Sequence, residues 1–209
     1  EAFAQGGRAS PIDTATSASG GFVVLSDTVN ETLDHIGERS LQYQDEVITW
    51  QLHSFIADIP DDTFLVIGNT GVHASTSKQV AKVASLLEKQ PERHVEIEAI
   101  GSIARRGIEA LRAGDMESVG KAMTENHIVL RSLGVSSPEL EKLIKAAAPS
   151  SLGVKLTGSG GGGCMIALTK NPEQTVGAIE MEGGRAFISP FNSPGVRIET
   201  LSSQDSSPQ

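Results

Sequence analysis

The sequence predicts an α+β protein whose larger part follows a split β-α-β plan with extra helices inserted. Three observations carry this expectation. A glycine run, Gly158-Ser159-Gly160-Gly161-Gly162-Gly163, sits between two apolar, β-prone segments. Upstream, residues 75–144 hold four successive segments with apolar residues at helical spacing, separated by Pro and Gly. Downstream, one more helical segment leads into a short strand. From Thr63 onward the order is therefore strand, helices, two strands, helix, strand.

The elements follow in order. Gly6-Gly7-Arg8-Ala9-Ser10-Pro11-Ile12-Asp13-Thr14 reads as a loop from its Gly, Ser and Pro content. Ser19-Gly20-Gly21 leads into a strand, Phe22-Val23-Val24-Leu25. Residues 27–44 are polar and suggest a surface excursion. Residues 46–56 alternate in part through Val47, Thr49 and Gln51 and carry Trp50, which predicts a strand. Ile59-Pro60-Asp61-Asp62 is a turn and marks a domain boundary. Residues 63–67 read as a buried strand, ended by Gly68-Asn69-Thr70-Gly71.

Ser75 is expected to cap the first helix, which carries Val80, Val83 and Leu87. Pro91 separates it from a second, with Ile97, Ile100, Ala104, Ile108 and Leu111 on one face. Gly114 stops that helix and Asp115 caps a third, whose Met116, Val119, Met123 and Leu130 turn inward; Gly134 ends it. Ser136 or Ser137, followed by Pro138, starts a fourth through Leu140, Leu143 and Ile144. Beyond the glycine unit come a helix over residues 172–181, closed by Gly183-Gly184, and strands near 186–189 and 196–201. The polar tail is expected to fray.

Composition narrows the function classes. At 209 residues, with 38% hydrophobic and 21% charged residues, the chain can bury a sizeable core. A net charge of −9 argues against a nucleic-acid surface. Cys164 is the only cysteine, so there is no disulfide framework, consistent with a reducing compartment. No apolar run has membrane-spanning length and no signal peptide is visible, which points to a cytoplasmic protein with no membrane partner. The chain opens on Glu1 directly into structured-looking sequence and is expected to be a piece of something longer.

The glycine run demands a reason, since Gly is the costliest residue to order. Gly158, Gly160 and Gly163 fit G-x-G-x-x-G, but that fingerprint needs a helix after it, and residues 164–168 read as a second strand. No Lys-Ser/Thr pair follows the glycines, so a P-loop fails too. Two reasons stay open: close approach of the backbone to something, or N–H groups converging on an anion such as phosphate. Asp13 is either a turn aspartate bonding its own backbone or a carboxylate that orients or deprotonates a hydroxyl. Of Ser75, Thr76 and Ser77, all could serve the helix start, or one could cap while another reaches a ligand. The five histidines lack metal-ligand spacing, and His127 reads as a packed or surface residue. Cys164 has no neighbouring His and reads as a small buried hydrophobe.

Three segments together resemble the GHMP family of small-molecule kinases: Ser10-Pro11-Ile12-Asp13-Thr14-Ala15-Thr16-Ser17, Gly68-Asn69-Thr70-Gly71-Val72-His73-Ala74-Ser75-Thr76, and the run from Lys155 through Leu168. The glycine segment is similar to the family at large; the other two point to its mevalonate-phosphorylating branch. The resemblance implies the end of the family's N-terminal domain (residues 1–58, ribosomal protein S5 domain 2-like), a ferredoxin-like C-terminal domain (59–203) and a disordered tail (204–209). It implies ATP-dependent phosphorylation of mevalonate, with ATP and Mg²⁺ as cofactors, and leaves a homodimer open. Asp13 takes the place of the catalytic aspartate and Glu1 that of a Mg²⁺-binding glutamate, allowing one extra glycine at Gly6-Gly7. Thr76, Ser159 and Gly160 are implied to contact the substrate, and Gly158, Gly160, Gly161, Gly162 and Gly163 to line the phosphate side. The family's N-terminal lysine segment and ATP loop have no counterpart here, so this chain alone is expected to be inactive. The competing expectations are a GHMP kinase for another alcohol (phosphomevalonate, homoserine or a sugar) and a non-catalytic ferredoxin-like binding module. The homoserine case is weakened by the presence of Asp13, since those kinases usually lack the equivalent carboxylate.

Overall fold

A computed structural model describes residues 10–43, 46–189, 191 and 193–197. Two antiparallel sheets organise them. The first is a three-stranded sheet in the order β1-β3-β2, built from Phe22–Ser26 (β1), Asp34–Tyr43 (β2) and Glu46–Phe55 (β3). The second runs β5-β6-β4-β7, from Phe64–Asn69 (β4), Gly153–Thr157 (β5), Cys164–Thr169 (β6) and Arg185–Ser189 (β7). With β4 and β6 paired at the centre, this is the ferredoxin-like split β-α-β order.

The helices are α1 (Ile12–Ser19), α2 (Thr76–Lys89), α3 (His94–Arg112), α4 (Met116–Ser132), α5 (Pro138–Ala147) and α6 (Pro172–Met181). The main core lies where α5 and α6 cover one face of the second sheet. Leu140, Leu143 and Ile144 of α5 and Ile179 of α6 meet Val66, Val154, Leu156, Met165 and Ala167, which share that face through the strand register. A smaller cluster joins Leu33, Phe55 and Ala57 to Ile108 and Leu111, tying the first sheet to the end of α3.

The free edge of β5 is sealed by α4. Gly120 of α4 and Gly153 of β5 touch backbone to backbone, and a Cβ on either would overlap a main-chain oxygen of the other element or its flank. One turn along α4, the Thr124 hydroxyl accepts the edge N–H of Val154 at 3.4 Å; the next turn offers His127 Nδ1 to the N–H of Leu156 at 3.4 Å. An edge strand's unpaired donors are thus satisfied by side chains at helical spacing. His127 also bonds Glu141 of α5 through Nε2 at 3.0 Å, and Glu141 accepts the Ser136 hydroxyl at 2.5 Å. With Nδ1 accepting, the ring carries its proton on Nε2. Burial pushes the His127 pKa below its ordinary value, against the raising effect of the Glu141 carboxylate. For Glu141 burial works upward, but the Ser136 hydroxyl, His127 and Arg131 together hold it below the usual carboxylate range.

Several elements depart from the sequence-based expectation. Residues 12–14, expected as the end of a loop, instead open α1, with the Ala15 N–H bonding Pro11 O at 2.8 Å. The helix buries no residue, so it leaves no apolar stripe to read. Residues 34–43 form β2 rather than an excursion, held to β3 by backbone pairing and by polar cross-strand contacts such as Ser40–Thr49 at 2.9 Å and His35–Gln51 at 2.9 Å. Ser75 occupies the N-cap position of α2 but makes no capping bond; its hydroxyl meets Ser77 at 3.0 Å instead. Asp115 and Ser137 do cap α4 and α5. Only Ile103 of α3 is fully buried. Val196 and Arg197 lie outside any strand, the nearby pairing being a single Gly20–Pro194 bridge. The rest of that expected strand, and the tail, lie outside the described residues.

Two stability experiments follow. Gly153→Ala is expected to lower the unfolding free energy by about 3 kcal/mol through overpacking against α4. Gly177→Ala, in open space within α6, is expected to raise it by up to about 1 kcal/mol; urea midpoints test both. The depressed pKa of His127 also has a sign. Its contribution to stability is complete above about pH 6.5, the unfolded histidine value, and is lost as pH falls through the lower folded value. Buried His53, lowered by desolvation and by His35, acts in the same direction. Urea midpoints should therefore drop between pH 7 and 5, and the drop should shrink in His127→Gln.

Candidate active site

Asp13 lies in the first turn of α1, exposed, and Thr76 opens α2. Both line one cavity of about 370 Å³ with Ala74, Thr157, Gly158, Ser159, Gly160, Gly162, Gly163 and Cys164. Three segments distant in sequence thus meet on one space. The Ser159 hydroxyl donates to Thr76 Oγ1 at 3.3 Å, which joins the glycine loop to the start of α2. Thr76 therefore turns its hydroxyl to the loop rather than to its own helix.

Of the two open reasons, close approach of the backbone holds at two positions. Gly160 has φ +79°, and a Cβ there would overlap the Val135 carbonyl oxygen; Gly162 is similarly crowded by Val72 O. These close approaches are to the protein itself. The N–H of Gly161 is spent on Val135 O at 2.7 Å and that of Gly163 on Val72 O at 2.8 Å. The N–H groups of Ser159, Gly160 and Gly162 have no acceptor among the described residues. Of these five loop donors, three are therefore free and two hold the loop to its neighbours. Gly161 itself stands outside the cavity lining, against Gln79 of α2.

The supporting residues Asn69 and Thr70 lie in a segment that carries the resemblance, but the sequence assigned them no role. Thr70 donates both its N–H and its hydroxyl to Gly163 O at 2.9 Å each. Asn69 Oδ1 accepts the Gly71 N–H at 2.7 Å, and Asn69 Nδ2 reaches Cys164 Sγ at 3.2 Å. Cys164 is half-buried and lines the cavity, rather than being a buried filler. Glu1, the expected metal ligand, lies outside the described residues.

Comparison with known proteins identifies the family of the second sheet and its helices. Residues 108–180 match the model of the GHMP kinases C terminal family. The chain carries a GHMP kinase C-terminal domain. Relatives that it matches include mevalonate kinases: that of Pyrococcus furiosus is 37% identical over 145 residues, covering 66% of this chain and 43% of the relative. That of Thermococcus sibiricus is 31% identical over 203 residues, covering 93% and 54%. The crystal structure of L. major mevalonate kinase in complex with R-mevalonate aligns with a TM-score of 0.53 at 30% identity, covering 68% of this chain and 43% of that one. The chain spans about half the length of the curated relatives it matches.

Hydrogen exchange tests the divided loop. The amides of Gly161 and Gly163 are expected to exchange markedly more slowly than those of Ser159, Gly160 and Gly162. Gly160→Ala, which displaces the loop from Val135, should bring Gly161 up to the fast group.

Proposed function

We propose that the protein carrying this chain transfers the γ-phosphoryl group of ATP to the primary hydroxyl of mevalonate, giving 5-phosphomevalonate and ADP. The observation that carries this reading is the convergence of Asp13, Thr76 and the free loop donors on one cavity, in a chain whose relatives are mevalonate kinases. Phosphoryl transfer asks for positioning and charge stabilisation rather than covalent catalysis, and these groups supply both. The acceptor hydroxyl oxygen forms the new bond to phosphorus as the bond to ADP breaks, and its proton passes to the Asp13 carboxylate. Thr76, with Ser159, orients the acceptor. The N–H groups of Ser159, Gly160 and Gly162 stabilise charge on the phosphoryl oxygens in flight.

The donor chemistry also suits Mg²⁺. Asp13 is the one carboxylate lining the cavity among the described residues, and the other side-chain oxygens are hydroxyls. Mg²⁺ characteristically takes one or two carboxylates and completes its shell with water and nucleotide phosphates. Asp13 would hold it, with Glu1 as the second carboxylate in the same proposal. When bound, the ion neutralises phosphate charge. No described helix is long and apolar enough to cross a membrane. A cytoplasmic setting and a division into two domains near residue 59 belong to the same reading.

The test is ADP release by the intact protein with mevalonate. Asp13→Asn should lower kcat by about 10²-fold or more, while mevalonate affinity changes little. Thr76→Ala should act mainly on KM for mevalonate. Turnover with phosphomevalonate or a sugar but not with mevalonate would replace the acceptor, and normal turnover in Asp13→Asn would remove that residue from the mechanism.

A further inference from the structure

α2 meets the glycine loop at two points. Thr76 and Gln79 stand three positions apart near the start of α2 and so share one face of the helix. Thr76 Oγ1 accepts the Ser159 hydroxyl at 3.3 Å. At the second point the Gln79 carboxamide lies against Gly161. A Cβ on Gly161 would stand 2.2 Å from Gln79 Nε2, 2.8 Å from its Cδ and 3.2 Å from the Ala74 Cβ. The N–H of Gly161 is meanwhile bonded to Val135 O at 2.7 Å. Gly161 is thus held twice, by a hydrogen bond to the segment before α5 and by shape against α2. Gly160 and Gly162, whose N–H groups are unbonded among the described residues, flank it.

Gln79 gains nothing from its polar end. The residue is half-buried, its Oε1 is buried without a donor, and its side chain makes no hydrogen bond with any described residue. An amide oxygen left in that state costs folding free energy that an apolar side chain of the same length would not. The side chain therefore acts through the space it fills. It does not line the candidate active site, so any effect on chemistry passes through Gly161.

We propose that Gln79 is a positioning residue for phosphoryl transfer: its carboxamide is the stop that fixes Gly161 and, through it, the unbonded N–H groups of Gly160 and Gly162. This role rests on the kinase reading given above, whereas the contact itself does not. With the stop removed, Gly161 keeps only its bond to Val135, and a residue without a Cβ has wide backbone freedom. A site that works by positioning loses on the order of 10²-fold in rate for a misplacement of about 1 Å.

Hydrogen exchange and steady-state kinetics on the intact protein test it. In Gln79→Ala the Gly161 amide is expected to exchange about tenfold faster. The same variant should lower kcat by about tenfold or more, with little change in KM for mevalonate. Gln79→Met, which fills the same space without the unpaired oxygen, should restore both quantities to within about threefold and raise the urea midpoint. Gly161→Ala collides with Gln79 in the wild-type background but has room in Gln79→Ala, so the two losses in kcat should not multiply. Should Gln79→Ala not fold, as judged by its melting transition, Gln79→Asn, which withdraws the amide by one methylene, must show the faster exchange. The proposal is overturned by wild-type exchange at Gly161 in the shortened variants, by Gln79→Met being as impaired as Gln79→Ala, or by losses that multiply. An intact wild-type protein that does not phosphorylate mevalonate overturns the kinase reading and the catalytic role with it, while the exchange rates still decide the contact.

Discussion

The structure depends on one contact, the backbone of α4 lying against the free edge of β5. Gly120 and Gly153 permit it, because neither leaves space for a Cβ between the two main chains. With the backbones that close, Thr124 and His127 fall opposite the unpaired N–H groups of Val154 and Leu156. The strand is then fixed on both sides, by β6 through its ladder and by α4 through two side chains. Everything that leaves the end of β5 inherits that placement. The glycine loop begins there, and the path from α4 through Val135 to α5 returns to hold it.

Polar groups in this region are tightly assigned. His127 uses one ring nitrogen for β5 and the other for Glu141, and Glu141 in turn accepts from Ser136. Protonation of the imidazole would turn its Nδ1 acceptor into a donor facing another donor, so burial and hydrogen bonding both favour the neutral ring. The loop shows the same economy. Two of its N–H groups are committed to Val135 and Val72, which leaves its remaining donors available at the cavity. A loop with all donors free would have nothing to hold its shape; one with all committed could bind no anion.

Much of this was legible from residue order. Four helices, the strand–glycine–strand unit and the return through α6 to β7 are periodic or punctuated by Gly and Pro, and they emerged at the expected places, although the expected apolar faces of α2 and α3 are largely unburied. What escaped had no stripe to show. The helix that carries Asp13 buries nothing, and β2 is held by backbone and polar contacts. The hydroxyl of Ser75, in a favoured capping position, goes to Ser77. Propensity is a local preference, and a neighbouring hydroxyl was enough to redirect it.

The sequence by itself determined the class of fold, the glycine loop between two strands and the residue types of the proposed phosphoryl-transfer site, because periodicity and the special geometry of glycine are written residue by residue. Only the tertiary structure decided which atoms do the work. It brought Asp13, Thr76 and Ser159 to one cavity from three distant segments, and it separated the loop donors left unbonded from those that anchor it. It also left Gln79 Oε1 and Asn126 Oδ1 buried without a donor. Whether a donor is spent or a charge is compensated depends on what packs beside it, which is a property of contacts between elements and not of any one of them.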